Sequence, residues 1–287
     1  GMGGSHLCAG LLRAYKPGIN LYIHRDYGIP PYDKTFCQET LFIASSYSGN
    51  TEETLDFLDE AYSRGLDTIV ISTGGAAIKF AKENNLPFIE LPNIDIQPRL
   101  ALGFSTIALA SLVLKEALSE LYSLEKVLRP KDLHSNGKTL AESLNGQIPV
   151  IYTSDKNRAI AYNWKIKLNE TAKIPAFNNV FPELNHNEMQ GYEFGQNQPV
   201  YKNFRFILIE DAKDHPRIIK RMAKTEELLS EKGFAATRLY LQGENRFEQI
   251  FNSLLLADWV ALEIAKKNKI EPEKVPLIAE FKRRLTK

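Results

Sequence analysis

The sequence predicts an α/β protein made of two halves, each a mostly parallel sheet flanked by helices. Two observations carry this. Apolar runs of strand length alternate with longer stretches of helical period, the pattern of parallel strands joined by crossover helices. The alternation runs once through the first part of the chain, gives way to a polar stretch, and then restarts over a segment of similar size.

In the first half, residues 19–24 and 40–45 read as strands. Residues 52–65 follow as a helix, with Leu55, Leu58, Ala61 and Tyr62 at helical spacing and Gly65 as a stop. Strand 68–72, helix 76–84, strand 88–91 and a long helix over 101–122 complete it. In the second half, strand 150–153 and helix 159–170 precede an irregular stretch, 174–199. Strand 204–209, helix 215–232, strand 237–241, helix 246–267 and a last helix over 275–285 come after. The expected domains are therefore 1–125 and 146–287, the latter with a C-terminal helix, joined by a polar linker at 126–145 that holds one helical piece.

Composition narrows the function. Of 287 residues, 44% are hydrophobic and 25% charged, as in an ordinary soluble globular protein. The formal net charge is +1, so no global field draws in nucleic acid or membrane, and no basic stripe with interleaved aromatics is present. An anion has to be recognised locally. The apolar stretch 100–114 is interrupted by Ser105, Thr106 and Ser111 and is short of the ~20 residues of a membrane span. The N-terminal stretch lacks the basic leader of a signal peptide. Two cysteines, Cys8 and Cys37, make no disulfide framework, which points to a reducing cytoplasm.

The sharpest chemical signal is Ser45-Ser46-Tyr47-Ser48-Gly49-Asn50-Thr51-Glu52-Glu53-Thr54, set directly between an apolar strand and an amphipathic helix. The first amides of a helix are unpaired and carry positive partial charge, so they hold an anion. Gly49 allows close backbone approach, and the hydroxyls of Ser46, Ser48 and Thr51 can supplement the amides. Without a lysine in the loop, a phosphomonoester is expected rather than a nucleoside triphosphate. The competing reading is an ordinary N-cap with a glutamate behind it, a capping box. Read alone, Gly1-Met2-Gly3-Gly4-Ser5 is only a glycine-rich end.

Four further residues could do acid–base or electrostatic work. Glu170 ends a helix, with Lys167 and Lys173 three residues to either side; its plain reading is a surface carboxylate. His186 lies in the polar segment Pro182-Glu183-Leu184-Asn185-His186-Asn187-Glu188, where imidazole is either structural or a proton carrier near neutral pH. Arg99 sits at the start of the long helix, unfavourably for the dipole, so another partner is expected there. Lys282, in Glu280-Phe281-Lys282-Arg283-Arg284, is by default on a solvated face. The five histidines show no HxH or HExxH spacing, and neither metal nor cofactor is expected.

SSYSGNTEETL after a strand resembles the phosphate loop of sugar-isomerase (SIS) domains. GMGGSHLCAGLL, KLNETAKIPAF with FPELNHNEMQGY, and the terminal VPLIAEFKRRL are similar to segments of the bifunctional phosphoglucose/phosphomannose isomerases, in the same order along nearly the whole chain. The resemblance implies a homodimer whose subunits each carry two SIS domains with an active site in the cleft between them. By position, Gly4 and Ser5 match a substrate-binding loop, and Ser46, Ser48 and Thr51 match the phosphate loop. Arg99 matches an arginine that stabilises the enediolate. Glu170 matches the base that moves a proton between C1 and C2. His186 matches a ring-opening histidine donated by the neighbouring subunit, and Lys282 a lysine assisting near the ring oxygen.

The implied substrate is a sugar phosphate, interconverted between glucose 6-phosphate or mannose 6-phosphate and fructose 6-phosphate. Two alternatives are a non-catalytic sugar-phosphate-binding protein and an SIS isomerase of aminosugar phosphates. Family members carry a helix and a first strand ahead of GMGGS. The expectation is thus that the loop at Gly4 and Ser5 lacks a strand to hold it and that isomerisation is weak.

Overall fold

The computed structural model describes residues 1–285. Its contacts divide the chain into two units, Gly1–Ser123 and Leu124–Lys287.

The first unit contains α1 (Gly4–Tyr15), α2 (Lys34–Gln38), β1 (Phe42–Ser45), α3 (Glu52–Ser63), β2 (Thr68–Ser72), α4 (Gly75–Glu83), β3 (Phe88–Glu90) and α5 (Leu102–Val113), with α6 (Leu118–Val127) crossing the boundary. The strands form one parallel sheet in the order β1-β2-β3. β2 is buried along its whole length, as its unbroken apolar run Ile69-Val70-Ile71 requires. Leu58 of α3 and Ala77, Ile78 and Ala81 of α4 close over Ala44 and Val70 to make the core.

Two expectations are corrected here. Residues 19–24 form no strand. Leu21, Ile23, Leu41, Ile43 and Phe57 line one cavity of about 480 Å³, and no ladder joins this segment to β1. The helix expected over 101–122 is broken at Leu114, whose φ of −155° is extended. The break turns the chain so that Leu114, Ala117, Leu121 and Leu124 are all buried, while exposed Glu116 pairs with Lys16 at 2.8 Å.

The second unit continues with α7 (His134–Leu144), β4 (Ile148–Ser154), α8 (Arg158–Glu170), β5 (Phe177–Phe181), β6 (Phe204–Glu210), α9 (Pro216–Glu231), β7 (Ala235–Tyr240), α10 (Arg246–Lys267) and α11 (Pro276–Leu285). Its four strands are all parallel, in the order β5-β4-β6-β7. β5 lies inside the stretch expected to be irregular. Asn178 and Asn179 hide its period in the sequence, but the ladder to β4 from Phe177 to Phe181 is continuous. Phe181, Phe206, Leu208, Met222 and Phe234 build the core on one side. On α8, Trp164 is fully buried and its indole donates to Ser253 of α10 at 3.0 Å.

Within 126–145, the segment expected as a linker, α7 packs against α10. Leu140, Ala141 and Leu144 are buried on one helical face, and the Trp259 indole donates to the Pro130 carbonyl at 2.6 Å. The approach is close enough that a Cβ on Gly137 would lie 2.4 Å from Trp259 Cβ. Gly137→Ala therefore sets about 1 kcal/mol of gained helix propensity against an overpacking cost of about 1–3 kcal/mol. The clash wins: we expect a lower melting temperature and an unchanged helical circular dichroism spectrum at room temperature. A variant as stable as the wild type would contradict this packing.

Candidate functional site

The turn after β1 is built from its own hydroxyls. Ser46 Oγ lies 2.9 Å from Thr51 Oγ1 and accepts the Gly49 amide at 3.1 Å. Ser48 Oγ accepts from the Asn50 amide at 3.3 Å. Ser46 is buried and Ser48 exposed, so the turn is anchored at one end and presented at the other. Thr51 stands at the N-cap of α3, yet its side chain makes no capping bond. The capping-box reading is thus not realised, because the hydroxyl is engaged by Ser46. The amides that open α3, at Glu52 and Glu53, precede the first carbonyls of their helix, which is the geometry that accepts an anion.

A second turn, after β2, presses against the first. Gly49 has φ of 69°, and a Cβ there would lie 1.9 Å from the Gly74 carbonyl oxygen. The Ala77 amide donates to the Gly49 carbonyl at 2.9 Å, and Ala76 donates to Asn50 Oδ1 at 3.0 Å. The N-terminus of α4 is thereby closed by the turn itself, leaving α3 as the helix end that is open.

Ser5 joins this turn from the start of α1. Its hydroxyl accepts the Tyr47 amide at 2.7 Å, and its carbonyl accepts from Ser45 Oγ at 3.3 Å. Gly4 packs on the Pro98–Leu100 turn, where a Cβ would meet the Arg99 amide at 2.8 Å. The expectation that the loop at Gly4 and Ser5 has no strand to hold it is corrected: the C-terminal end of β1 holds it. Arg99 itself is 2% exposed. Gly4, Ser5, Ser46, Ser48, Thr51 and the Arg99 turn thus form one neighbourhood in the first unit. Its amides and hydroxyls are groups that could hold an anion.

The remaining candidates lie in the second unit, on three separate elements. Glu170 is half-buried at the end of α8. The chain leaves that helix through Lys173, a non-glycine residue with φ of 57°. His186 closes a short 3-10 turn, Glu183–His186, beyond the C-terminal end of β5. Because β4 and β5 are parallel, α8 runs back to the edge of the sheet where β5 begins. Glu170 and His186 are therefore separated by β5, five residues or roughly 13 Å of strand. Lys282 is exposed on α11, a helix with no buried residue.

Sequence reasoning passed over what holds His186 in place. The residues on either side are pinned: Asn185 donates to Thr225 at 2.9 Å, and Glu188 accepts from Tyr152 and from Asn179, both at 2.5 Å. His186 and Asn187 between them are exposed. Burial, then Tyr192 and Glu188, push the Tyr152 hydroxyl far above its ordinary range, so it stays a donor. The signal available was the spacing of Asn185 and Glu188 about the histidine, legible only once β4 and α9 are known to flank it.

The description "bacterial phospho-glucose isomerase C-terminal SIS domain" matches residues 133–285. The bifunctional phosphoglucose/phosphomannose isomerase of Caldicellulosiruptor bescii is 35% identical, over 99% of this chain and 88% of its own length. That of Aquifex aeolicus is 32% identical over 93% and 81%. This chain belongs to that family. A hypothetical protein from Thermus thermophilus shares the fold, with a TM-score of 0.72 at 17% identity over 100% of this chain and 81% of its own.

The second unit treats its own strand ends differently from the first. The crevice outside the C-terminal ends of β4 and β6, where the strand order reverses, is the usual ligand position in such sheets. Here it is filled from within. Lys156 pairs with Asp211 at 3.0 Å and Asp214 at 3.1 Å, Arg246 pairs with Asp211 at 3.0 Å, and Ser154 donates to Asp214 at 2.8 Å. Carboxylates stand there, where the first unit has a turn of hydroxyls and amides.

The two strand ends can each be tested. Ser46→Ala removes an acceptor for Gly49 and a partner for Thr51, while Gly49→Ala forces a side chain into left-handed backbone at a cost of about 1–3 kcal/mol. Both are expected to weaken inorganic phosphate binding about tenfold or more in calorimetric titration, and equal affinity would contradict an anion cradle. The second test concerns acid. Burial opposes ionisation of Asp211, but the Lys213 amide, Lys156 and Arg246 outweigh it and hold the carboxyl below its ordinary 3.8. Its stabilisation is fully present above about pH 4 and is lost as pH falls through the depressed folded value. Asp211→Asn should lose most stability at near-neutral pH, and the gap to wild type should shrink below about pH 4 in urea melts.

Proposed function

We propose that this chain is an aldose–ketose isomerase that interconverts glucose 6-phosphate or mannose 6-phosphate with fructose 6-phosphate through an enediolate. Identity of 35% across 99% of the chain with a protein named for both sugars carries the reading. The anion cradle of the first unit supports it, since the substrates share a phosphomonoester remote from the reacting carbons. Binding energy from that phosphate orients C1 and C2.

Glu170 is the base that takes the proton from one carbon and returns it to the other. Nothing is oxidised or reduced overall, so no electron acceptor is needed. Arg99 stabilises the developing oxyanion, a preorganised charge in a desolvated setting. His186 and Lys282 transfer the protons of ring opening at the ring oxygen and O1. Gly4, Ser5, Ser46, Ser48 and Thr51 hold the phosphate and sugar. Glucose and mannose 6-phosphates differ only at C2 and give a common enediolate, so one base serves both.

In this reading the working form is a homodimer in which His186 serves the Glu170 of the partner copy. The separation of the two residues by the length of β5 supports this, as does the exposure of His186 between two pinned neighbours. The buried free thiols of Cys8 and Cys37 agree with a cytoplasmic setting; burial pushes Cys8 up to about 12.

Glu170→Gln keeps the shape and removes the base. The kcat for fructose 6-phosphate conversion should fall about 10²–10⁴-fold with KM nearly unchanged, and exchange of the C2 proton with solvent deuterium should stop. A glutamine variant that still exchanges this proton would overturn the assignment.

A further inference from the structure

Resting on that reading, we infer that Lys173 is a positioning residue that ties the helix end carrying Glu170 to the segment leading into the helix that carries Lys282. Lys173 belongs to the Asn169-Glu170-Thr171-Ala172-Lys173 run but has no part in the reaction as described. Three observations single it out.

The first is its backbone. A φ of 57° is a conformation that a β-carbon disfavours, and it costs of order 1–3 kcal/mol unless the surroundings impose it. It lets the chain double back directly behind α8. There Thr171 donates to the Lys167 carbonyl at 2.9 Å, Ile174 donates to that of Leu168 at 3.3 Å, and the Asn169 side chain donates to the Ile174 carbonyl at 2.9 Å. The last turn of α8 is thus wrapped by the residues that follow it.

The second is where the ammonium goes. Lys173 Nζ donates to the carbonyl of Glu170, one of the orphan acceptors at the helix end, where a cation also complements the dipole. The third is that the same nitrogen donates to the Pro272 carbonyl at 3.3 Å. Pro272 lies in the connection between α10 and α11, four residues ahead of Pro276, the first residue of α11. One ammonium therefore bridges the main chain of Glu170 and the main chain that sets out towards Lys282. Because α11 buries no side chain within the structure, its direction depends on how that connection is held.

Position 167 strengthens the arrangement from the other side. Lys167 is buried and donates to Asp258 of α10 at 2.5 Å, so α8 is clamped to α10 one turn before Glu170. The clamp fixes the helix axis, and Lys173 then fixes its end relative to the α10–α11 connection. Any loosening at 173 would move the carboxylate and the Lys282 helix together, and misplacements of about 1 Å can cost about 10²-fold in rate.

The test uses the full chain. Lys173→Met should lower kcat for fructose 6-phosphate about 10–100-fold with KM within about twofold. In a double-mutant cycle its loss should be smaller in a Lys282→Met background than in the wild type, because the part of its effect that runs through Lys282 is already gone. Lys173→Cys followed by bromoethylamine rebuilds an ammonium of nearly the same length, with Cys8 and Cys37 protected by burial, and should restore kcat. Unchanged kcat, multiplicative losses or failure of the aminoethylated protein to recover would overturn the proposal. Hydrogen exchange decides the tether independently of activity: amides 271–285 should exchange about fivefold faster in Lys173→Met, and equal rates would overturn it. A wild-type chain that converts no sugar phosphate would sink the isomerase reading alone, leaving the exchange result to stand.

Discussion

The hydrogen bond from the Tyr47 amide to the Ser5 hydroxyl is the contact on which the shape of the first unit's strand-end turn depends. It joins the start of α1 to the turn after β1, two segments some forty residues apart in sequence. Around it, parallel strands bring their C-terminal ends to one edge, so the turns after β1 and β2 lie side by side. The steric consequence is severe. Gly49 and Gly74 approach so closely that neither turn could carry a larger residue at Gly49 and keep its shape.

The same strand direction gives opposite outcomes in the two units. In the first, the strand end leads into a helix whose N-cap side chain makes no capping bond. In the second, the corresponding crevice is occupied by Asp211 and Asp214, neutralised by Lys156 and Arg246. Taking such charges out of water costs on the order of several kcal/mol each, offset here by the ion pairs of Asp211 with Lys156 and Arg246 and of Asp214 with Lys156, although Asp214 Oδ2 has no hydrogen-bond partner among the described residues. Among the described residues, the strand ends of the second unit are thus closed by ion pairs, and those of the first are where we propose that an anion binds.

The chemistry proposed for the second unit lies elsewhere, at the C-terminal end of α8 and in the loop after β5. Both are irregular backbone held by specific bonds rather than by a ladder. Glu188 and Asn185 pin the loop that exposes His186, and Lys173 with Asn169 wraps the end of α8. Polar groups do this work because apolar packing is non-directional and could not set a single side chain within the fraction of an ångström that proton transfer demands.

Much of this was legible from residues near one another in the chain. The apolar run of β2, the helical period of α3 and the whole extent of α10 follow from local pattern, since each buries a face whose spacing is written in consecutive residues. So does the strand–turn–helix around Ser46. What tertiary structure alone decided involves partners distant in sequence. Residues 19–24 have strand composition yet form none, because a strand exists only with a neighbour to bond. Asn178 and Asn179 hide β5 until β4 is beside it. The long apolar helix breaks at Leu114 so that both halves bury their faces. Ser5 becomes part of the turn at Tyr47, and Lys173 reaches Pro272, through bonds that close loops of about forty and a hundred residues. Sequence alone determined which segments could be helix, strand or anion-binding turn; folding chose their partners, because hydrogen bonds and burial depend on distance in space, and distance along the chain does not carry it.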